Sequence, residues 1–67
     1  MINSNYFIFD NEKRKVIYET DYSEELIRKA KEMSKTIDKE KQKTYSVVNE
    51  KKDKVVDLYF FVTHYCW

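Results

Sequence analysis

The sequence predicts a small α+β domain built as hairpin–helix–hairpin (ββαββ), with one helix packed on one face of an antiparallel sheet. Three observations predict this fold. Two pairs of strand-like apolar runs are each joined by a polar, lysine-rich turn, and a segment with helical spacing lies between the pairs. A length of 67 residues allows one domain, which we assign to residues 1–67.

The first hairpin is predicted over residues 6–19. Residues 6–9 form an aromatic-rich strand, residues 10–14 form a polar turn, and residues 15–19 form the second strand. Because the chain has no glycine, another residue must take any left-handed backbone position in this turn. Asn11 is the best suited to that conformation.

The helix is predicted over residues 23–43. Ser23 is expected to cap its first turn, with Asp21 as the alternative cap. Glu24 and Glu25 suit the positive end of the helix dipole. One face of the helix is expected to pack on the sheet, and it carries Leu26, Ala30, Met33 and Ile37.

The second hairpin is predicted from a strand over residues 45–48, a turn over 49–54 and a strong strand over 55–62. Its turn region, residues 49–56, resembles residues 11–17 with one residue inserted. The two hairpins are therefore either related or alike by coincidence. A four-stranded sheet is expected, and a three-stranded sheet with an arm exchanged between chains is the alternative.

Apolar side chains are predicted on both faces of this sheet, because successive strand residues point to opposite sides. A helix is about 10–12 Å wide, so it covers about two strands spaced about 4.8 Å apart, and on one face only. Uncovered aromatic surface is typical of an interface, which predicts a homo-oligomer. Packing of the last residue onto its own sheet is the alternative. The predicted interface residues are Phe7, Phe9, Tyr59, Phe61, Tyr65 and Trp67.

The residues that carry chemistry do not form a catalytic pattern. Cys66 is the only cysteine, so an internal disulfide is excluded. His64 lies two residues before it, but nothing marks a third group that would orient such a pair for nucleophilic catalysis. The Cys and His residues also lack zinc-finger spacing. We expect no enzyme activity, no cofactor and no metal site.

Charge is distributed unevenly along the chain. Residues 1–27 carry three cations and six acids, a balance of −3, and residues 28–54 carry ten cations and five acids, a balance of +5. The asymmetry suits an anionic ligand, and a solvated helix face with lysine-rich turns is the alternative explanation. The net charge of +1 disfavours nucleic acid. No apolar run reaches the roughly 20 residues that span a membrane, and neither a signal peptide nor a disulfide pattern is evident, so we expect a cytoplasmic protein. The candidate anion-binding residues are Arg14, Arg28, Tyr6 and Tyr18.

The run over residues 16–25 (VIYETDYSEE) joins a strand to a helix start through a Thr-Asp pair. Together with the strand and turn before it, a stretch of about a third of the chain, this run resembles in style many small accessory proteins of bacteriophages and mobile elements. That resemblance implies a counter-defence inhibitor that blocks a host protein by direct binding. The alternative is an oligomeric sponge for an anionic nucleotide signal, and the second alternative is a nucleic-acid-binding accessory protein.

Overall fold

The computed structural model describes residues 4–64, which form one four-stranded sheet with helices packed against it. All strand pairs are antiparallel, in the order β2-β1-β3-β4. The predicted α+β class and the four-stranded antiparallel sheet are therefore confirmed. The elements are β1 (Tyr6–Asp10), β2 (Lys15–Thr20), α1 (Ser23–Thr36), α2 (Lys39–Gln42), β3 (Tyr45–Asn49), β4 (Lys54–Asp57) and α3 (Leu58–His64).

One hydrophobic core lies between the sheet and the helices. The two central strands each contribute one fully buried side chain, Ile8 from β1 and Val47 from β3. α1 packs over β1 and β2 with the helical spacing that the sequence predicts, and α3 packs over β3 and β4. Burial of these side chains is the main stabilising term for so small a domain. The helical core residues are Leu26, Ala30, Met33, Leu58 and Phe61.

The two hairpins have the same local design. Each inner strand ends on a buried polar residue, Asp10 in β1 and Asn49 in β3, which are 3% and 4% exposed. The side-chain oxygen of Asp10 accepts hydrogen bonds from the N–H groups of Glu12 and Lys13 at 3.0 and 3.2 Å. The side-chain oxygen of Asn49 accepts a hydrogen bond from the N–H group of Lys52 at 3.2 Å. These side chains bind the turn backbone, so their burial leaves their oxygens paired.

Both turns close on a residue with a left-handed backbone. Arg14 has φ 54° and Asp53 has φ 53°, and each is followed by a lysine that starts the outer strand. Asp10 is therefore equivalent to Asn49, and the two turns match without an insertion. The prediction that Asn11 takes the left-handed position is wrong. Turn length fixes that position at the fourth turn residue, and Asn11 instead donates its Nδ2 to Ser46 Oγ at 2.8 Å.

The hairpins meet through β1 and β3 in an arrangement with approximate twofold symmetry. Ile8 pairs with Val47 at the centre of the contact. On either side, Asn11 N donates to Thr44 O at 3.1 Å and Glu50 N donates to Asn5 O at 2.9 Å. The axis therefore runs through the sheet between β1 and β3. The fold consists of two ββα units, β1-β2-α1 and β3-β4-α3, with α2 in the connection.

The predicted helix over residues 23–43 is interrupted. α1 ends at Thr36, Ile37 has an extended backbone with φ −114° and ψ 129°, and α2 starts at Lys39. Fourteen residues of helix span about 21 Å, which already matches the length of the strands below it. The buried side chain of Gln42 holds this break, because its Nε2 donates to Ser34 O at 3.2 Å and to Ile37 O at 2.7 Å.

The start of α1 also differs from the prediction. Tyr22 is the N-cap residue and Ser23 is the first helical residue, so Ser23 does not cap the helix. Asp21 does not cap it either, because its Oδ1 accepts a hydrogen bond from Asn5 N at 3.0 Å. Thr20 Oγ1 accepts one from Tyr22 N at 3.2 Å. The threonine at the strand end therefore positions the backbone where the helix begins.

The predicted strand over residues 55–62 is wrong beyond Asp57. β4 stops there and Leu58 begins α3, with Asp57 Oδ1 accepting a hydrogen bond from Phe60 N at 2.7 Å. Leu58 and Phe61 are three residues apart, so a helix places both in the core, where both are 0% exposed. A strand would have sent them to opposite faces. Burial of both side chains favours the helix over local β propensity.

Candidate binding surface

The sheet has a second face that no helix among residues 4–64 covers, and we call it the open face. Ile8 and Val47 point into the core, so their strand neighbours point to the opposite side. Strand register then extends this face to the outer strands. The open face consists of Phe7 and Phe9 in β1, Val16, Ile17 and Glu19 in β2, Ser46 and Val48 in β3, and Val55 and Asp57 in β4.

The open face is predominantly apolar. Ile17 is 37% exposed and Val55 is 58% exposed. Phe7, Phe9 and Val48 are half-buried, although none of them belongs to the core or packs against it. Their partial burial comes from neighbours within the sheet, because directly opposite cross-strand side chains lie about 4.5–5.5 Å apart. An apolar sheet face of this kind, without a covering layer in the described chain, is typical of a binding surface.

A β-bulge shapes one side of the open face. The register between β1 and β2 shifts after Ile8, so that Ile17 has no partner on β1 and Phe9 pairs with Val16. Bulged residues share the space opposite one partner residue, which places Val16 and Ile17 together beside Phe9. The bulge also increases the local strand twist, which makes the outer edge of β2 a poor template for a further strand.

The six predicted interface residues do not form one surface. Phe7 and Phe9 lie on the open face. Phe61 is fully buried on the helix side, so its predicted place beside Tyr59 on a sheet face is wrong. Tyr59 is half-buried in α3, with Lys43 Nζ 5.5 Å from its ring centroid. Tyr65 and Trp67 lie outside the described residues. The predicted interface omitted Val48 and Val55, although both lie within predicted strands and strand alternation could have identified them.

The four candidate anion-binding residues are also divided. Tyr6 and Arg28 line a cavity of about 550 Å³ at the start of α1, and Arg28 and Tyr18 line a second of about 260 Å³. Arg14 lies at the opposite end of the β1–β2 hairpin, in its turn. The larger cavity disfavours an anion, because its only cation is outnumbered by the carboxylates of Asp21, Glu24 and Glu25.

The second cavity has a balanced charge. Its lining contains two cations, Arg28 and Lys29, and two carboxylates, Glu25 and Glu32. The Nζ atom of Lys29 lies 5.6 Å from the ring centroid of Tyr18. Tyr18 therefore already has a cation over its ring, which accounts for its position without a ligand. Neither cavity brings together the predicted set of Arg14, Arg28, Tyr6 and Tyr18.

The side chains of His64, Glu12 and Lys41 have partners within the fold. The ring of His64 stacks on Phe60 at a centroid distance of 4.3 Å, and its Nδ1 lies 2.9 Å from Thr63 Oγ1. Glu12 forms an ion pair with Lys41, and this hydrogen bond raises the pKa of the Lys41 ammonium above 10.5. Within residues 4–64, no three His, Cys, Asp or Glu side chains gather closely enough to hold a metal ion.

Comparison with family models, with curated proteins and with solved structures found no match for this chain. None of the helices in residues 4–64 has the length and apolar character needed to cross a membrane.

Proposed function

We propose that this chain is a non-enzymatic binding protein that docks its open face on another protein. The supporting observation is the uncovered apolar surface of Phe7, Phe9, Ile17, Val48 and Val55, on the side of the sheet away from the helices. Exposed apolar surface costs free energy in water, and a partner that covers it recovers that cost.

The resemblance of residues 16–25 to small phage accessory proteins indicates what kind of protein this chain would bind. We propose a host protein, which the chain inhibits by covering its surface. The nucleotide sponge has weaker support, because the candidate anion-binding residues are separated and the larger cavity is acidic. Nucleic acid has weaker support as well, since the net charge is only +1.

A capture experiment with matched variants tests the docking face. Tagged wild-type protein is expected to retain one stoichiometric host protein. Val55→Lys places a charge on the open face at a position that is 58% exposed, so the fold is expected to persist and the capture to be lost. Tyr22→Lys makes a similar change at a position that is 65% exposed on the other side of the molecule, and capture is expected to survive.

Two results would contradict the proposal. Equal capture by all three proteins would remove the open face from the binding surface. A loss of capture with Tyr22→Lys alone would move the binding surface to the start of α1. Circular dichroism spectra of the variants establish that each one is folded.

We also propose that the chain self-associates, and this second proposal is measured separately from docking. Sedimentation velocity gives the solution mass, which is 8.3 kDa for a single chain. A mass that is a multiple of this value supports the homo-oligomer. A single-chain mass at concentrations well above those used for capture would remove the oligomer while leaving the docking face to be judged by the variants.

A further inference from the structure

The open face has a directional pattern of apolar and acidic residues. The strand register places Glu19 of β2 beside Phe7 of β1, and Asp57 of β4 beside Ser46 of β3. The apolar residues between these corners form a diagonal band, which begins at Val16 and Ile17, crosses Phe9 and Val48, and ends at Val55. The band therefore has one carboxylate on each side.

The dimensions of the band follow from sheet geometry. Four strands spaced about 4.8 Å apart span about 14 Å, and the band shifts by two residues along the strands, or about 7 Å. Its length is therefore about 16 Å, which equals three turns of α-helix at 5.4 Å per turn. A helix about 10–12 Å wide fits between the two acidic corners.

The charges on this face all have one sign. The chain has 13 lysine and arginine residues, and none of them occupies an open-face position. Glu19 is exposed and has no ion pair with any residue in the range 4–64. A second copy that docked face to face would offer no lysine or arginine to pair with Glu19 or Asp57, so both carboxylates would lose water without gaining a cation, which disfavours self-association through this face.

We propose that the open face binds an amphipathic helix of a partner protein, with an apolar stripe flanked on both sides by lysine or arginine. This inference rests on the proposed function and narrows the partner to one chemical class. The apolar band buries the stripe, and Glu19 and Asp57 select the basic flanks. Asp57 also caps α3 through one carboxylate oxygen, so Glu19 carries most of the selection.

Two designed helical peptides of 14 residues test the inference. Both have the same leucine stripe, and their flanking positions are all lysine in one and all glutamate in the other. Titration of the full chain, followed by amide chemical shifts, is expected to show the lysine peptide perturbing the open-face strands. The Kd of the glutamate peptide is expected to be at least about fivefold higher at low salt. The difference is expected to shrink at 1 M salt.

A charge reversal provides the decisive comparison. Glu19→Lys is expected to lower the preference for the lysine peptide or reverse it. Glu32→Lys makes the same change on an exposed position of α1 and is expected to leave the preference intact. Equal Kd values for both peptides, or shifts confined to the helices, would overturn the inference.

Two further outcomes separate this inference from the docking proposal. Host capture that depends on Val55 but is unaffected by Glu19→Lys would overturn the basic helix while keeping the docking face. A dimer of the chain that Val55→Lys dissociates would show that a second copy occupies the open face, and would overturn the heterologous partner.

Discussion

Replacement of the two left-handed turn residues by glycine is expected to stabilise this protein. Arg14 and Asp53 have φ of 54° and 53°, a region that costs a residue with a Cβ about 1–2 kcal/mol. Glycine avoids that cost but loses about 0.5–1 kcal/mol more backbone entropy on folding. The net gain expected from Arg14→Gly or Asp53→Gly is therefore about 0.5–1 kcal/mol each.

The side chains themselves are not expected to offset this gain. Both residues are exposed, and neither side chain forms a hydrogen bond or ion pair with another described residue. The turns lie at opposite ends of the sheet, so the two effects are expected to add. Each change is expected to raise the melting temperature by about 2–8 °C in a domain of this size.

The change in stability is measured by thermal and urea unfolding. The proteins compared are the two single variants, the double variant and Lys13→Gly. Lys13 lies in the same turn with negative φ, so glycine there is expected to destabilise the protein by about 0.5–1 kcal/mol. If Arg14→Gly and Lys13→Gly lower stability equally, then Arg14 does not hold a left-handed backbone, and the equivalence of the two turns fails with it.

The other predictions concern the core, the helix break, one ion pair and the C-terminus. Leu58→Ala is expected to lower the free energy of unfolding by about 2–5 kcal/mol; a loss below about 1 kcal/mol in urea titrations would contradict its burial in α3. Gln42→Leu removes both hydrogen bonds to the end of α1, and a loss of about 1–3 kcal/mol is expected in the same assay. Because the folded-state pKa of Lys41 is raised, its pairing stabilises the fold below pH 10.5 and is lost as the pH rises through the folded pKa; Glu12→Gln is expected to return that pKa toward 10.5 in an NMR titration, and no change would contradict the pairing. Trp67→Ala is expected to lower the solution mass of any oligomer, and an unchanged multimeric mass would place the tryptophan within its own chain.

The sequence alone does not predict that Glu19 lies on the open face beside Phe7. Residue alternation identifies Phe7 and Phe9 as facing away from Ile8. Whether a carboxylate lies beside Phe7 depends on the β1–β2 register, and that register contains a bulge after Ile8. A shift of one residue in the pairing of β2 with β1 would have placed Glu19 on the core face of the sheet instead.

The last apolar run shows how two periodicities compete in one segment. Residues 55–62 fit a strand, but Leu58, Phe61 and Val62 also fit one face of a helix. Asp57 was the available sequence signal, because aspartate is a favoured N-cap and binds the N–H three residues later. Local propensity could not decide between these readings, since the gain from burying Leu58 and Phe61 together depends on the core that they enter.

By itself, the sequence determined the α+β class, the two hairpins, the apolar face of α1 and the presence of more apolar strand surface than one helix covers. These features depend on contacts within a few residues, where periodicity and turn chemistry act directly. The tertiary structure decided the strand order, the helical form of residues 58–64 and the composition of the open face. Each of these depends on which distant segments pack together, because the free energy of burial belongs to the assembled core rather than to any one segment.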